Sequence, residues 1–363
     1  MKKTLLFNPG PTNVSKGVRN AIKTRDICHR EKEFSEVLQK VRSRILKVVN
    51  GQRTHVAIAF VSSATGCNEA MLCGIHGKVL LINNGKYSER LKKIIQIHKI
   101  RFIELKVDQF KQLDFGKVEK LLKENLDVTH IALVHHETTT GMLMPLDKIG
   151  RLAKKYNKII CVDTVSSLGG YKIDVKADNI AFCTVSSNKC LESFPGISFV
   201  IADKSELKKM KGKFRSFYFD LYNQWEYEER GETPFTPAIQ LFFALDKALR
   251  ELMAEGVKNR IERYRKNAER MRTGLRKLGF KFILPDKLQS NIVTAIQMPR
   301  GMNYWKIHDM LKKRGYTIYS GKSTLDQGIF RIATLGHLKK TDIDGFLKDF
   351  KKVLQKSGLN LNK

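Results

Sequence analysis

The stretch Lys158-Ile159-Ile160-Cys161-Val162-Asp163-Thr164-Val165-Ser166-Ser167 decides the fold. Its apolar run does not alternate with polar residues, so it reads as a strand buried on both faces, the kind found inside a parallel sheet. The run ends on a carboxylate and small hydroxyl residues, at the carboxyl end of the strand, where open α/β sheets bind ligands. Similar short runs stand at 55–61, 79–82, 101–106 and 129–134 before it and at 180–185 and 197–202 after it. Amphipathic stretches at 66–76, 87–97, 116–124 and 146–156 lie between them. This alternation predicts an α/β fold with a mainly parallel, seven-stranded sheet, which 197–202 joins as an edge or antiparallel strand.

Beyond Pro237 the pattern changes. Leu241, Phe242, Leu245, Ala248, Leu249 and Leu252 form one helical stripe, and a second long helix is predicted from Gly256 to about Leu278. The two helices read as a spine leading to a smaller C-terminal α+β unit. That unit has strands near 290–297, 316–319 and 329–333 and helices near 303–314 and 341–355. The expected division is a large domain over 1–256, with residues 1–15 reaching the mouth of the site, and a small domain over 257–363.

Composition narrows the function classes. The 363 residues are 42% hydrophobic with 8 prolines, which supplies a large core and excludes a disordered or collagen-like chain. The apolar run in Met1-Lys2-Lys3-Thr4-Leu5-Leu6-Phe7 breaks at Asn8-Pro9-Gly10-Pro11, too soon for a signal peptide or a membrane span. A cytoplasmic protein with no membrane partner is expected. Lys and Arg outnumber Asp and Glu by 67 to 36, giving a net charge of +31. The basic residues are spread along the chain, and the densest cluster (Lys208, Lys209, Lys211 and Lys213) reads as a solvated helix or loop. No nucleic-acid partner is therefore expected, and the charge favours capture of small anions. Six cysteines without a Cys-x-x-Cys pair predict free thiols in a reducing compartment, and nine histidines without metal spacing predict no metal site. His135 and His136 are adjacent and would face opposite sides of a strand.

Three local signals fall in a chemically meaningful order. Ser62-Ser63-Ala64-Thr65-Gly66 follows the first strong strand and opens a helix, where free N–H groups and the helix dipole suit a phosphate; a plain Ser/Thr helix cap reads equally well. It is neither a dinucleotide fingerprint nor a P-loop. Asp163 ends its strand at a site edge, or caps a turn. Lys189, in Val185-Ser186-Ser187-Asn188-Lys189-Cys190-Leu191-Glu192, follows a strand among small polar residues, unlike the lysines of the amphipathic helices. A strand-end aspartate and a loop lysine 26 residues later are what pyridoxal-phosphate chemistry needs. The lysine forms a Schiff base with the aldehyde, the carboxylate keeps the pyridine nitrogen protonated, and a helix start anchors the phosphate.

At this point the chain resembles the class-V, fold-type I pyridoxal-phosphate aminotransferases over nearly its whole length. The resemblance rests on Asn8-Pro-Gly-Pro-Thr12, Asp26-Ile-Cys-His-Arg-Glu31, Ser63-Ala-Thr65, Asn84-Gly-Lys-Tyr-Ser-Glu-Arg90, His136-Glu-Thr-Thr-Thr-Gly141 and Asp163-Thr-Val-Ser-Ser167. Further on it rests on Ser187-Asn-Lys-Cys-Leu-Glu192, Thr233-Pro-Phe-Thr-Pro237, Tyr319-Ser-Gly-Lys322 and Phe330-Arg-Ile332.

The resemblance implies Lys189 as the cofactor-bonding lysine and proton carrier, Asp163 on the pyridine nitrogen and Tyr87 stacked on the ring, where plain packing is its other reading. It implies Ser63, Ala64 and Thr65 on the phosphate, Thr138 near the ring hydroxyl or else capping a turn, and Thr233 and Thr236 reaching a neighbouring subunit's phosphate. Arg331 is either an edge-strand solubiliser or, by resemblance, a carboxylate clamp. Two positions depart from the family pattern. Ala64 stands where glycine is usual, which requires a negative φ there, and Ser193-Phe194 replace a glycine and an aliphatic residue in the lysine loop.

Within the family, the branch implied moves the amino group of 2-aminoethylphosphonate to pyruvate, with small anionic substrates (an aminophosphonate and a 2-oxo acid) and a homodimer sharing its sites. An alanine–glyoxylate or serine–pyruvate type transaminase is the alternative. A cysteine desulfurase needs a nucleophilic cysteine near the clamp arginine, and 318–328 contains none. A basic nucleic-acid-binding protein on a degenerate transaminase fold has only the net charge in its favour.

Overall fold

The structure is a computed structural model that describes residues 4–359. Seven strands form its main sheet: β1 (His55–Phe60), β2 (Lys78–Asn83), β3 (Phe102–Lys106), β4 (Val128–Val134), β5 (Ile159–Asp163), β6 (Phe182–Ser186) and β7 (Ser198–Asp203). Their order is β1-β7-β6-β5-β4-β2-β3. Strand β7 runs antiparallel to both β1 and β6, and the other pairs are parallel. The expected α/β class and sheet are therefore present. The segment 197–202 is antiparallel but interior: Phe199, Val200 and Ile201 are fully buried, and a strand buried on both faces gains by pairing on both edges.

The missing alternation in β5 has a direct cause, since helices cover both faces of the sheet. Ile160 and Val162 face one core with Leu80, Leu133 and Val185, and Cys161 faces the other with Leu81, Ala132 and Phe182. On the first face lies α1 (Lys32–Val48), whose Phe34, Leu38, Val41, Ile45 and Val48 recur at spacings of four and three. This helix precedes the first predicted strand and is absent from the expected elements, although its period is plain. The second face is covered by α2 (Ala64–Cys73) and α3 (Lys86–Ile97).

The spine consists of α4 (Ile239–Glu255) and α5 (Val257–Lys277), which meet at Gly256. Beyond it, β8 (Val293–Gln297) pairs antiparallel with β9 (Ile329–Ala333), and α6 (Lys340–Ser357) closes a separate core through Phe346 and Phe350. The amino-terminal segment joins this second core. Leu5–Leu6 pairs with Tyr316–Thr317, and Phe7 packs on Phe346 with ring centroids 4.4 Å apart. Residues 1–3 and 360–363, which fall within the expected domain ranges, lie outside the described residues.

Candidate active site

Strands β1 and β6 both run opposite to β7, so they point the same way, and the carboxyl ends of β1, β2, β4, β5 and β6 share one edge of the sheet. The chain order reverses between β2 and β4, the position at which such sheets open a crevice. The loops leaving this edge carry Ser63 to Thr65, Tyr87, Thr138, Asp163 and Lys189.

Lys189 sits in a turn closed by the Ser193 N–H donating to Ser187 O at 2.8 Å and the Glu192 N–H to Lys189 O at 3.0 Å. Burial pushes its amine down to about 8, against the attraction of Asp163, while Arg331 and Arg90 push in the same direction as burial. The Nζ donates to the carbonyl of Pro9 at 2.7 Å. The next residue, Gly10, has φ +131°, and a Cβ there would lie 2.3 Å from the Nζ, so glycine is required beside the lysine.

Asp163 is buried, and burial raises its pKa, opposed by two donors. The Val165 N–H donates to Oδ1 at 2.9 Å and Asn68 Nδ2 to Oδ2 at 2.6 Å. Asn68 is itself oriented by the Thr184 hydroxyl at 2.7 Å. Sequence reading missed Asn68. Its only signal was position, one turn into α2 after the small-residue loop. His135 and His136 each pair with a different serine, Ser167 at 2.8 Å and Ser166 at 3.0 Å, and burial holds both imidazoles down to about 3 and hence neutral.

Helix α2 begins at Ala64 with Ser63 as its N-cap (φ −68°), and the Ser63 side chain makes no capping bond; the Gly66 N–H donates to Ser63 O at 2.9 Å, which leaves the Ser63 hydroxyl and the Ala64 and Thr65 N–H groups for an anion. Ala64 lies on helical backbone, so its replacement of glycine carries no strain. The Thr65 hydroxyl accepts from Arg90 Nη1 at 3.0 Å, and the same guanidinium lies 4.9 Å from the centroid of the Tyr87 ring. Arg90 closes the Asn84–Arg90 motif, and its spacing alone assigns it no role. It follows Tyr87 by three residues on α3, and that spacing puts both on one helix face.

Arg331 projects from β9, with Nη1 donating to Thr138 O at 2.9 Å and its own N–H to the Ser320 hydroxyl at 2.7 Å. It is 6% exposed, and its Nε has no protein partner. Burial lowers its pKa while Tyr87, Glu137 and two further tyrosines, Tyr304 and Tyr319, oppose that shift. The Thr138 hydroxyl is likewise buried without a partner.

The remaining two threonines lie elsewhere. Thr233 and Thr236 line a crevice with Phe60, Val61, Tyr218 and Phe235. Thr236 is exposed, whereas Thr233 is buried, with its carbonyl accepting from Arg30 at 2.9 Å and its hydroxyl unpartnered. In the lysine loop, Phe194 packs with Val18, Ala244 and Ala248 beneath the Arg19 guanidinium, so this departure from the family pattern serves helix packing.

The residues fit pyridoxal phosphate on three counts. A buried carboxylate at Asp163 makes no salt bridge among the described residues and suits a pyridinium N–H. The open helix start at Ser63 to Thr65 suits a phosphate, and the unpartnered Thr138 hydroxyl suits a ring oxygen.

Comparison with known proteins agrees. The sequence model of the class-V aminotransferase family matches residues 10–341. A bifunctional phosphonoacetaldehyde hydrolase/aminoethylphosphonate transaminase from Clostridioides difficile is 38% identical over 350 residues, covering 94% of this chain, which spans 55% of that longer protein. The 2-aminoethylphosphonate–pyruvate transaminase of Klebsiella pneumoniae is 36% identical over 352 residues, 94% of this chain and 95% of the relative. That of Syntrophobacter fumaroxidans is 35% identical over 362 residues, 98% and 97%. Among solved structures, ureidoglycine–glyoxylate aminotransferase from Bacillus subtilis superposes with a TM-score of 0.91 over 99% of this chain and 94% of that one; at 22% identity this likeness concerns the fold alone.

Proposed function

The chain belongs to the class-V aminotransferase family, and on that premise we propose that it transfers the amino group of 2-aminoethylphosphonate to pyruvate, yielding phosphonoacetaldehyde and L-alanine. The observation that carries the reading is a buried lysine at the end of the sheet that also holds the Asp163 carboxylate, in a chain 35–36% identical to two 2-aminoethylphosphonate–pyruvate transaminases.

Class-V aminotransferases use pyridoxal phosphate, which when bound supplies an aldehyde for an amine and a ring that accepts electrons from the carbon bearing that amine. In our reading Asp163 holds a proton on the ring nitrogen, and Asn68 and the Val165 N–H keep its carboxylate aimed. Ser63, Ala64 and Thr65 hold the phosphate, Tyr87 covers the ring and Thr138 meets the ring hydroxyl. Lys189 Nζ takes the proton from the amine-bearing carbon of the donor and, in the second half-reaction, delivers one to the carbonyl carbon of pyruvate. An amine with a pKa near 8 carries and releases that proton near neutral pH. Arg331 meets the carboxylate of pyruvate and the phosphonate of the other substrate, and its unpartnered Nε offers them a donor while Nη1 holds the Thr138 carbonyl.

Thr236, and Thr233 with it, would reach the phosphate in a second copy of the chain, making the enzyme a homodimer with shared sites. The exposure of Thr236 supports this. The boundary between the two domains is placed at Gly256. No helix among the described residues is long and apolar enough to cross a membrane, and a cytoplasmic location is proposed. The test is alanine formation from pyruvate across a panel of amines. Turnover fastest with 2-aminoethylphosphonate is expected, whereas faster reaction of serine or alanine with glyoxylate would favour the alternative.

A further inference from the structure

One buried carboxylate faces the site and has no part in the chemistry above. Glu137 is fully buried in the short hairpin His136–Glu137 with Met142–Leu143 that follows β4. Its Oε1 accepts from the Thr139 N–H at 3.0 Å and the Thr139 hydroxyl at 2.7 Å. Its Oε2 accepts from the Tyr87 N–H at 2.9 Å, across 50 residues of sequence.

Each end of this arrangement leads to a residue to which the reading above gives a ligand. The N-cap of α3 is Gly85, which has no side chain with which to cap it, so the carboxylate of Glu137 serves as the cap from outside and fixes the first turn, where Tyr87 stands, with Arg90 one turn further on. Gly85 has φ +153°, and a Cβ there would lie 2.7 Å from Glu137 Oε2, so the carboxylate occupies the space a capping side chain would need. At the other end the Thr139 bonds set the turn in which Thr138 presents its carbonyl to Arg331 Nη1 and keeps its buried hydroxyl unpartnered.

Resting on the functional reading above, we infer that Glu137 is a positioning residue that sets two binding elements at once: the Tyr87 ring for the cofactor and the Thr138–Arg331 contact for the substrate anion. The carboxylate is suited to this because all three groups it meets are donors. In Glu137→Gln one of those donors faces an NH2 group, so one bond is replaced by a repulsion. A carboxylate that served packing alone would leave the two ligand affinities uncoupled.

The experiment measures three quantities in wild type, Glu137→Gln, Thr139→Val and Thr139→Ser: the Kd of the apoenzyme for pyridoxal phosphate by absorbance titration, the KM for pyruvate, and the thermal midpoint. In Glu137→Gln, Kd and KM should both rise roughly tenfold, the cost of one bond to a charged group, with kcat changed less. Thr139→Val should move both in the same direction by less, and Thr139→Ser, which keeps the hydroxyl, should restore them. A lower thermal midpoint with Kd and KM as in wild type would overturn the inference, as would movement of only one of the two. Should Glu137→Gln not fold, the Thr139 pair decides by the same criteria. A wild-type protein that bound no cofactor at Lys189 would instead remove the functional reading itself, a result distinguishable from a wild type that binds normally and variants that match it.

Discussion

The ε-amine of Lys189 donates to the carbonyl of Pro9 at 2.7 Å, joining residues 180 apart in sequence. The amino-terminal segment that reaches it packs through Leu5 and Phe7 into the core that holds Phe346 and Phe350, so this one bond ties the lysine turn to that core. Gly10 is the element of this contact least able to change. Gly10→Ala would need a left-handed φ and would drive a methyl against the Nζ. Its kcat is expected to fall about 100-fold, the usual consequence of displacing a reacting group by an ångström, with the protein remaining folded by circular dichroism.

The lowered pKa of Lys189 gives a pH dependence with a definite sign. Burial favours the neutral amine, so at a given pH more of it is unprotonated than for an exposed lysine. The rate at which apoenzyme captures pyridoxal phosphate should rise with pH and level off above about 8. A rate still climbing steeply well beyond that would show an ordinary lysine. Stopped-flow absorbance across the pH range provides the measurement.

Arg331→Lys keeps a positive charge but loses the fork that presents two donors in one plane. Its KM for pyruvate should rise about 10- to 100-fold, the loss of a charge-assisted bond, while cofactor affinity changes little. Steady-state kinetics with parallel cofactor titration separates the two effects.

Removing Asn68 leaves Asp163 Oδ2 without its side-chain donor. In Asn68→Ala the carboxylate should be easier to protonate, because burial is then opposed by one donor fewer. As the pH is lowered, activity should therefore be lost at a higher pH than in wild type: the acid limb of the kcat profile should move upward in pH. An unshifted limb would mean that Asn68 does not support the charge.

If Thr236 completes a site in a second chain, the active species is a dimer. Sedimentation should give twice the mass of one chain at concentrations where activity is full, and Thr236→Val should weaken cofactor binding. A fully active monomer would contradict the shared-site arrangement.

What the sequence made legible follows from where side chains are forced to be. The seven strands were readable because helices cover both faces and the core admits only apolar residues, and Lys189 and Asp163 because polar groups directly after such strands need a reason. Helix α1 was legible by the same logic, since its buried face recurs at spacings of four and three. The contacts of Asn68, Glu137 and Arg90 were not legible. Each depends on a partner brought in by the fold, such as Asp163 for Asn68 at a separation of 95 residues, and no local spacing records that. The direction of Phe194 belongs to the same class, since only the packing of α4 shows that it points into a helix interface.

The central claim is a covalent one, and borohydride reduction of the enzyme incubated with pyridoxal phosphate, followed by peptide mapping, tests it most directly. The expected result is a single reduced adduct on the peptide containing Ser187-Asn188-Lys189-Cys190, absent in Lys189→Ala. An adduct on a different lysine, or none, would contradict it.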